Sequence, residues 1–239
     1  MRADFEKTRP AGLADLFAAE VDGLEALRKA GVRVPAVISH GAEKDRAYIR
    51  LEKLDLKRGG DWAALGKMLA AQHRHTGERF GWQRDNYIGD TPQINSWRDD
   101  WATFFRECRI EPQLALAKRN GFDFSPGEIF QSVRSHRPKP SLLHGDLWSG
   151  NAGFTADGPV IFDPAVYYGD READLAMTEL FGGFPSGFYS SYLKEYPLDA
   201  GYEQRKHLYN LYHLLNHLNL FGGGYLLQVK ATLRLLDAV

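Results

Sequence analysis

The chain holds a single cysteine, Cys108, among 239 residues, so no internal disulfide can form and a disulfide-stapled extracellular scaffold is disfavoured. It has no excess of either charge: 30 Lys and Arg stand against 31 Asp and Glu, which provides no global basic field for nucleic acid or an anionic membrane. No apolar run approaches the roughly 18 residues of a membrane span. The first residues, Met1-Arg2-Ala3-Asp4-Phe5-Glu6-Lys7, are charged and have no leader-like apolar segment. Repeats, low-complexity tracts and long linkers are also lacking. The expectation is a cytoplasmic globular protein that binds neither nucleic acid nor membrane. What is present suffices for a core: 44% of residues are hydrophobic, and a chain of this length buries roughly 70–75% of its surface on folding.

Leu13, Leu16, Phe17, Val21, Leu24 and Leu27 recur at helical period, and Gly31 supplies a stop. Two strands are expected at 34–38 and 47–51, joined by a polar turn over 40–45. Asp61 is placed to cap one helix and Ser96 a longer one carrying Trp97, Trp101, Phe104, Phe105 and Cys108. Ser125-Pro126-Gly127-Glu128 reads as a capping box that opens a helix to about His136. Short buried strands are expected at 141–144 and 160–163, and helices from Asp170 to Val239. The run Leu51-Glu52-Lys53-Leu54-Asp55 is the expected joint between a small N-terminal lobe, 1–54, and a mainly helical one, 55–239.

The chemistry concentrates in His144-Gly145-Asp146-Leu147-Trp148-Ser149-Gly150-Asn151, followed by Val160-Ile161-Phe162-Asp163. An Asp, an Asn five residues on, and a strand-terminal Asp twelve residues after that are what phosphoryl transfer from ATP requires. One carboxylate orients and deprotonates the attacking hydroxyl. The amide and the second carboxylate hold the Mg²⁺ that neutralises the phosphates. Asp146 is thus the expected catalytic residue, and Asn151 and Asp163 the expected metal ligands. Gly145 and the run Asp163-Pro164-Ala165 depart from the protein-kinase wording His-Arg-Asp and Asp-Phe-Gly, which points to small-molecule kinases of the aminoglycoside phosphotransferase type. His144 is expected to bond backbone and fix the loop.

Residues 143–153 together with 163–177 closely resemble the fructosamine kinase family, also called ketosamine-3-kinases. Further family-like stretches are 81–89 with Thr91-Pro92-Gln93, Trp101 to Arg109, and Phe181-Gly182-Gly183-Phe184. The resemblance implies an α+β, protein-kinase-like bilobal fold with a shortened N-terminal sheet. It implies ATP- and Mg²⁺-dependent phosphorylation of the sugar 3-hydroxyl of ketosamines, on small amines or glycated protein lysines, leading to deglycation. By the same resemblance Lys7 and Glu20 form the lysine–glutamate pair that holds the ATP phosphates, with Glu25 an alternative partner. Glu52 and Leu54 lie in the nucleotide-binding joint, and Trp148 packs against the sugar or anchors the loop.

Only six residues precede Lys7, so the phosphate-covering glycine loop that this fold places upstream is expected to be absent from the chain. That leaves two alternatives open: an impaired pseudokinase or ketosamine-binding protein, and another aminoglycoside-type kinase. Gly222-Gly223-Gly224 lies between helical patterns and is expected to be a helix break, not a phosphate loop. His213 and His217 lack a Cys or acidic partner and are expected to be solvated or at the edge of the core rather than on a metal.

Overall fold

Ala47, Ile49 and Leu51 alternate along β3 (Arg46–Glu52) and are fully buried, the period-two pattern of a strand with one covered face. β3 is central, pairing antiparallel with β1 (Asp4–Pro10) on one side and β2 (Val37–Glu43) on the other, in the order β1-β3-β2. Helix α1 (Ala14–Lys29) covers the sheet with Phe17, Val21, Leu24 and Leu27. This computed structural model describes residues 4–57 and 59–237. The expected turn over 40–45 is mostly strand, because ladder pairing with β3 runs from His40 to Glu43 and leaves only Lys44 and Asp45 to turn. Lys44 takes the left-handed conformation there, at φ +55°.

α2 (Trp62–His73) starts as expected, with Asp61 Oδ1 accepting from the Ala64 N–H at 2.9 Å. The next helix starts later than expected. Asp100, not Ser96, caps α3 (Trp101–Phe105), because the Arg98 backbone exchanges two hydrogen bonds with Phe80 and is held extended. Trp97 therefore lies outside the helix, stacked on Tyr168. α3 continues through a π-helical turn (Arg106–Ile110) into α4 (Glu111–Arg119). The segment from Ser125 to His136 is not an α-helix. It forms turns and one 3₁₀ turn (Gln131–Val133), with Gly127 near its start and Ile129 and Val133 buried, and burial of those two anchors prevails over a short helix weakened by glycine.

β4 (Asn86–Ile88) and β5 (Thr91–Gln93) form a small hairpin. β6 (Ser141–Leu143) pairs with β9 (Tyr167–Gly169), and β7 (Ala152–Thr155) with β8 (Gly158–Ile161). These two ladders flank the polar loops that carry Asp146 and Asp163. The expected strand over 160–163 ends at Ile161. The remainder is helical: α5 (Glu172–Leu180), α6 (Ser186–Glu195), α7 (Tyr202–Phe221) and α8 (Leu226–Asp237). The glycine run breaks the helix as expected, with Gly222 at φ +82° and ψ −163°. Met1–Ala3, Arg58 and Ala238–Val239 lie outside the described residues. No helix among the described residues is long and apolar enough to cross a membrane.

Candidate active site

Lys7, Glu20, Asp146, Trp148, Asn151 and Asp163 line one cavity of about 270 Å³ between the sheet with α1 and the helical part of the chain. Lys7 reaches it from β1, where it is half-buried and the other strand residues are exposed. Its Nζ lies 2.8 Å from Glu20 Oε1 on α1 and 2.5 Å from Asp163 Oδ1. Burial works against the Lys7 charge, but Glu20 and Asp163 outweigh it and hold the ammonium above its ordinary range. Burial raises the Glu20 carboxyl, with Lys7 pulling the other way.

Asp146 lies at the floor of the cavity. Asn151 Nδ2 donates to the Asp146 carbonyl at 2.8 Å and to its Oδ2 at 3.2 Å, so the Asn151 amide oxygen is the atom left to ligate a cation. Burial pushes the Asp146 carboxyl up to about 7, and the nearby Asp163 and Asp174 charges act in the same direction. Asp163 sits two residues past the end of β8 at φ +57°, a left-handed backbone that costs energy in any non-glycine residue and recurs at functional sites. Gly145 is required where it stands: at φ +83° an added Cβ would meet the Ala165 carbonyl oxygen at 2.1 Å.

His144 is fully buried. Its Nε2 donates to the Phe162 carbonyl at 3.0 Å, and its Nδ1 accepts from the Asp146 N–H at 3.3 Å. Burial lowers its pKa, which keeps the imidazole neutral. It therefore fixes both loops through backbone, as expected from the sequence. Asp174, in α5, has a part that no local signal pointed to. It accepts from the backbone N–H groups of His144 and Gly145 at 2.7 and 2.8 Å and from His73 Nε2 at 3.1 Å. Burial would raise its carboxyl, but the His73 contact and these N–H groups prevail and hold it below the usual range.

Tyr87, Trp148 and Phe221 make part of the cavity lining aromatic. Trp148 meets Phe181 edge-on at 6.2 Å, and Phe181 lies 4.5 Å from His217. His217 and Phe221 line the cavity with Tyr87 and Asn86. His217 Nδ1 donates to the His213 carbonyl at 2.9 Å, so in the neutral form that burial favours its Nε2 is an acceptor. His213, by contrast, is a core residue, its pKa pushed down by burial to about 3. The two histidines looked alike in the sequence, since spacing of four on a helix says nothing about which end of it meets a cavity.

Glu52 and Leu54 are not brought into this cavity. They line a separate depression with Arg33 and Asp157, where the Glu52 carboxylate pairs with both terminal nitrogens of Arg33 at 2.9 and 2.8 Å. Glu25 lines neither.

A lysine, three carboxylates, an amide and aromatic side chains around one cleft can hold a metal–triphosphate and present a hydroxyl to a base. Comparison with known proteins agrees with that chemistry. The sequence profile of the family described as Fructosamine kinase matches residues 2–238. A protein of Synechocystis named a probable ketoamine kinase is 50% identical over 240 residues, covering 96% of this chain and 81% of its own. The crystal structure of a protein assigned as fructosamine-3-kinase from Haemophilus somnus 129PT superposes with a TM-score of 0.91 at 33% identity, over 98% of this chain and 83% of that one. An aminoglycoside phosphotransferase solved with streptomycin and ATP shares the fold alone, with a TM-score of 0.59 at 14% identity over 95% of this chain and 84% of its own.

Proposed function

This chain belongs to the fructosamine kinase family, and from that premise we propose that it transfers the γ-phosphoryl group of ATP to the sugar 3-hydroxyl of a ketosamine. The observation that carries the proposal is the convergence of Lys7, Glu20, Asp146, Asn151 and Asp163 on one cavity whose lining is partly aromatic. In this reading residues 1–54 form the nucleotide-covering lobe and 55–239 the lobe that binds the acceptor.

Asp146 accepts the proton of the attacking hydroxyl. A carboxyl lifted toward neutrality by burial is a stronger base than an exposed one and still ionises at working pH. Asn151 Oδ1 and the Asp163 carboxylate, both oxygen donors, fit Mg²⁺, which when bound neutralises phosphate charge. Lys7 exchanges part of its contact with Asp163 for the α- and β-phosphates, and Glu20 keeps its ammonium aimed. Trp148, His217 and Phe221, which line the cavity, take the ketosamine, whose apolar ring faces and secondary ammonium suit aromatic walls and a neutral imidazole acceptor. The 3-phospho adduct then decomposes and releases the amine, so the outcome is deglycation of small amines or protein lysines in the cytoplasm.

The test is ADP release by the 239-residue chain with Mg²⁺-ATP and ribuloselysine, beside Asp146→Asn. Ketosamine-dependent turnover that disappears in the variant is the expected result. A folded chain that binds ribuloselysine without turnover would support the binding-only alternative, and turnover confined to aminoglycosides would replace the acceptor class.

A further inference from the structure

Asn86 and Gln93 face each other across the β4–β5 hairpin, and both are almost fully buried, at 4% and 2% exposure. Asn86 Nδ2 donates to the Val166 carbonyl at 2.8 Å. Gln93 Nε2 donates to the Ala165 carbonyl at 3.1 Å and to Asn86 Oδ1 at 2.8 Å. Those two carbonyls follow Asp163 by two and three residues. The N–H of the same Ala165 donates to the His144 carbonyl at 2.8 Å. One short segment is therefore tied on one side to the loop carrying Asp146 and on the other to the hairpin.

The hairpin amides are themselves oriented. Tyr212, on α7, donates its hydroxyl to Gln93 Oε1 at 2.7 Å, which turns Nε2 toward Ala165. Asn95 Nδ2 donates to Asn86 Oδ1 at 2.7 Å, and Asn95 Oδ1 accepts from an Arg109 terminal nitrogen at 2.8 Å. Arg109 is fully buried in the π-helical turn, and among the described residues no carboxylate lies within ion-pair distance of it. Its guanidinium is held by the carbonyls of Ile94 and Cys108 and by the Tyr167 ring, whose centroid is 3.9 Å away. A buried cation without a counter-ion is expensive unless carbonyls, amides and ring faces are aimed at it. A charged donor at the head of the chain also strengthens the neutral hydrogen bonds that follow.

We propose that Asn86 and Gln93, oriented by Asn95 and Arg109, are positioning residues that hold the Asp163–Val166 segment at the height where the Asp163 carboxylate meets the same cation as Asn151. Asp163 needs such support because it lies beyond the end of β8, in a left-handed conformation, with no ladder partner of its own. The inference rests on the assignment of Asp163 as a metal ligand.

The experiment is calorimetric ADP binding, with and without Mg²⁺, to the 239-residue chain, Asp163→Asn and Gln93→Met, the last of which removes both donors at similar volume. Wild type is expected to gain ADP affinity on adding Mg²⁺, and Asp163→Asn to lose that gain. Gln93→Met should reduce the gain at least fivefold while metal-free ADP affinity stays within twofold. A ratio of affinities does not depend on the fraction of folded protein, so a merely structural role would leave it unchanged, and an unchanged ratio overturns the proposal. Asn95→Ser, which keeps both contacts to Ala165 and Val166 but cuts the link to Arg109, should reduce the gain about twofold, and decides the matter if Gln93→Met does not fold. If Asp163→Asn keeps the full gain, the metal assignment fails, and this proposal with it. The expected losses of Mg²⁺ gain together with turnover on another acceptor and none on ketosamines would sink the substrate class and leave the positioning role supported.

Discussion

The two sides of the cleft are built differently. On the sheet side, Lys7 projects from an outer strand that is otherwise exposed, and its partner Asp163 is 46% exposed. On the floor, His144, His73 and Asp174 are buried completely or nearly so, and the Asp174 carboxylate is saturated by two backbone N–H groups and a histidine. The difference separates two tasks. Ion pairs near water are weak and easily rearranged, whereas a buried carboxylate bonded through both oxygens holds the loop at 144–146 in one arrangement.

The largest expected effect breaks the floor chemically. Asp146→Asn should lower turnover about a thousandfold, the order expected for loss of a general base, with nucleotide affinity retained. It should also melt at a higher temperature than wild type at pH 8. Folding raises the Asp146 pKa from an ordinary carboxylate value to about 7, so its ionisation at higher pH opposes folding, and the amide removes that cost. Unchanged turnover would remove Asp146 as the base.

Breaking the floor structurally comes next. Asp174→Asn leaves two N–H groups and His73 facing a weaker partner, and should destabilise the fold by about 3 kcal/mol, the upper range for buried donors that lose their acceptor. Urea unfolding checks it, and a loss below 1 kcal/mol would mean the floor is no firmer than the roof. Lys7→Met, on the roof, should raise the KM for ATP about tenfold, the order set by one lost charge-assisted contact, while the melting temperature moves little. Equal effects of the two variants on stability would erase the contrast.

The smallest effect sharpens the comparison by pH. His213 is neutral when folded, with a pKa of about 3, but protonates near 6.5 when unfolded. Its contribution is fully present above pH 6.5 and is lost as the pH falls below that value. The melting temperature of His213→Gln should therefore decline less between pH 6.5 and 5 than that of wild type. Identical slopes would show that other groups govern acid stability.

Asp146, Asn151 and Asp163 were legible because they lie within eighteen residues on two loops flanked by apolar strands, so local spacing carried the signal. Lys7 and Glu20 were legible only through the family resemblance, and their meeting at 2.8 Å depends on how α1 lies across β1. His217 and Asp174 gave no local sign: one helix position differs from its neighbour four residues away only in what the rest of the chain brings to it. Ser96 and Ser125 misled for the complementary reason. Each is a sound capping residue, but backbone pairing of Arg98 with Phe80 and burial of Ile129 and Val133 decided those segments from a distance.

The sequence by itself determined the kinds of groups available, the helices with strong apolar periodicity, and the loop in which Asp146 and Asn151 are five residues apart, because these depend on neighbours in the chain. Tertiary structure alone decided that Lys7 and Asp163, 156 residues apart, share a contact, that Glu52 pairs with Arg33 in a separate depression, and that a hairpin near residue 90 supports the segment after Asp163. Those outcomes depend on burial, and burial is settled only when the whole chain has packed.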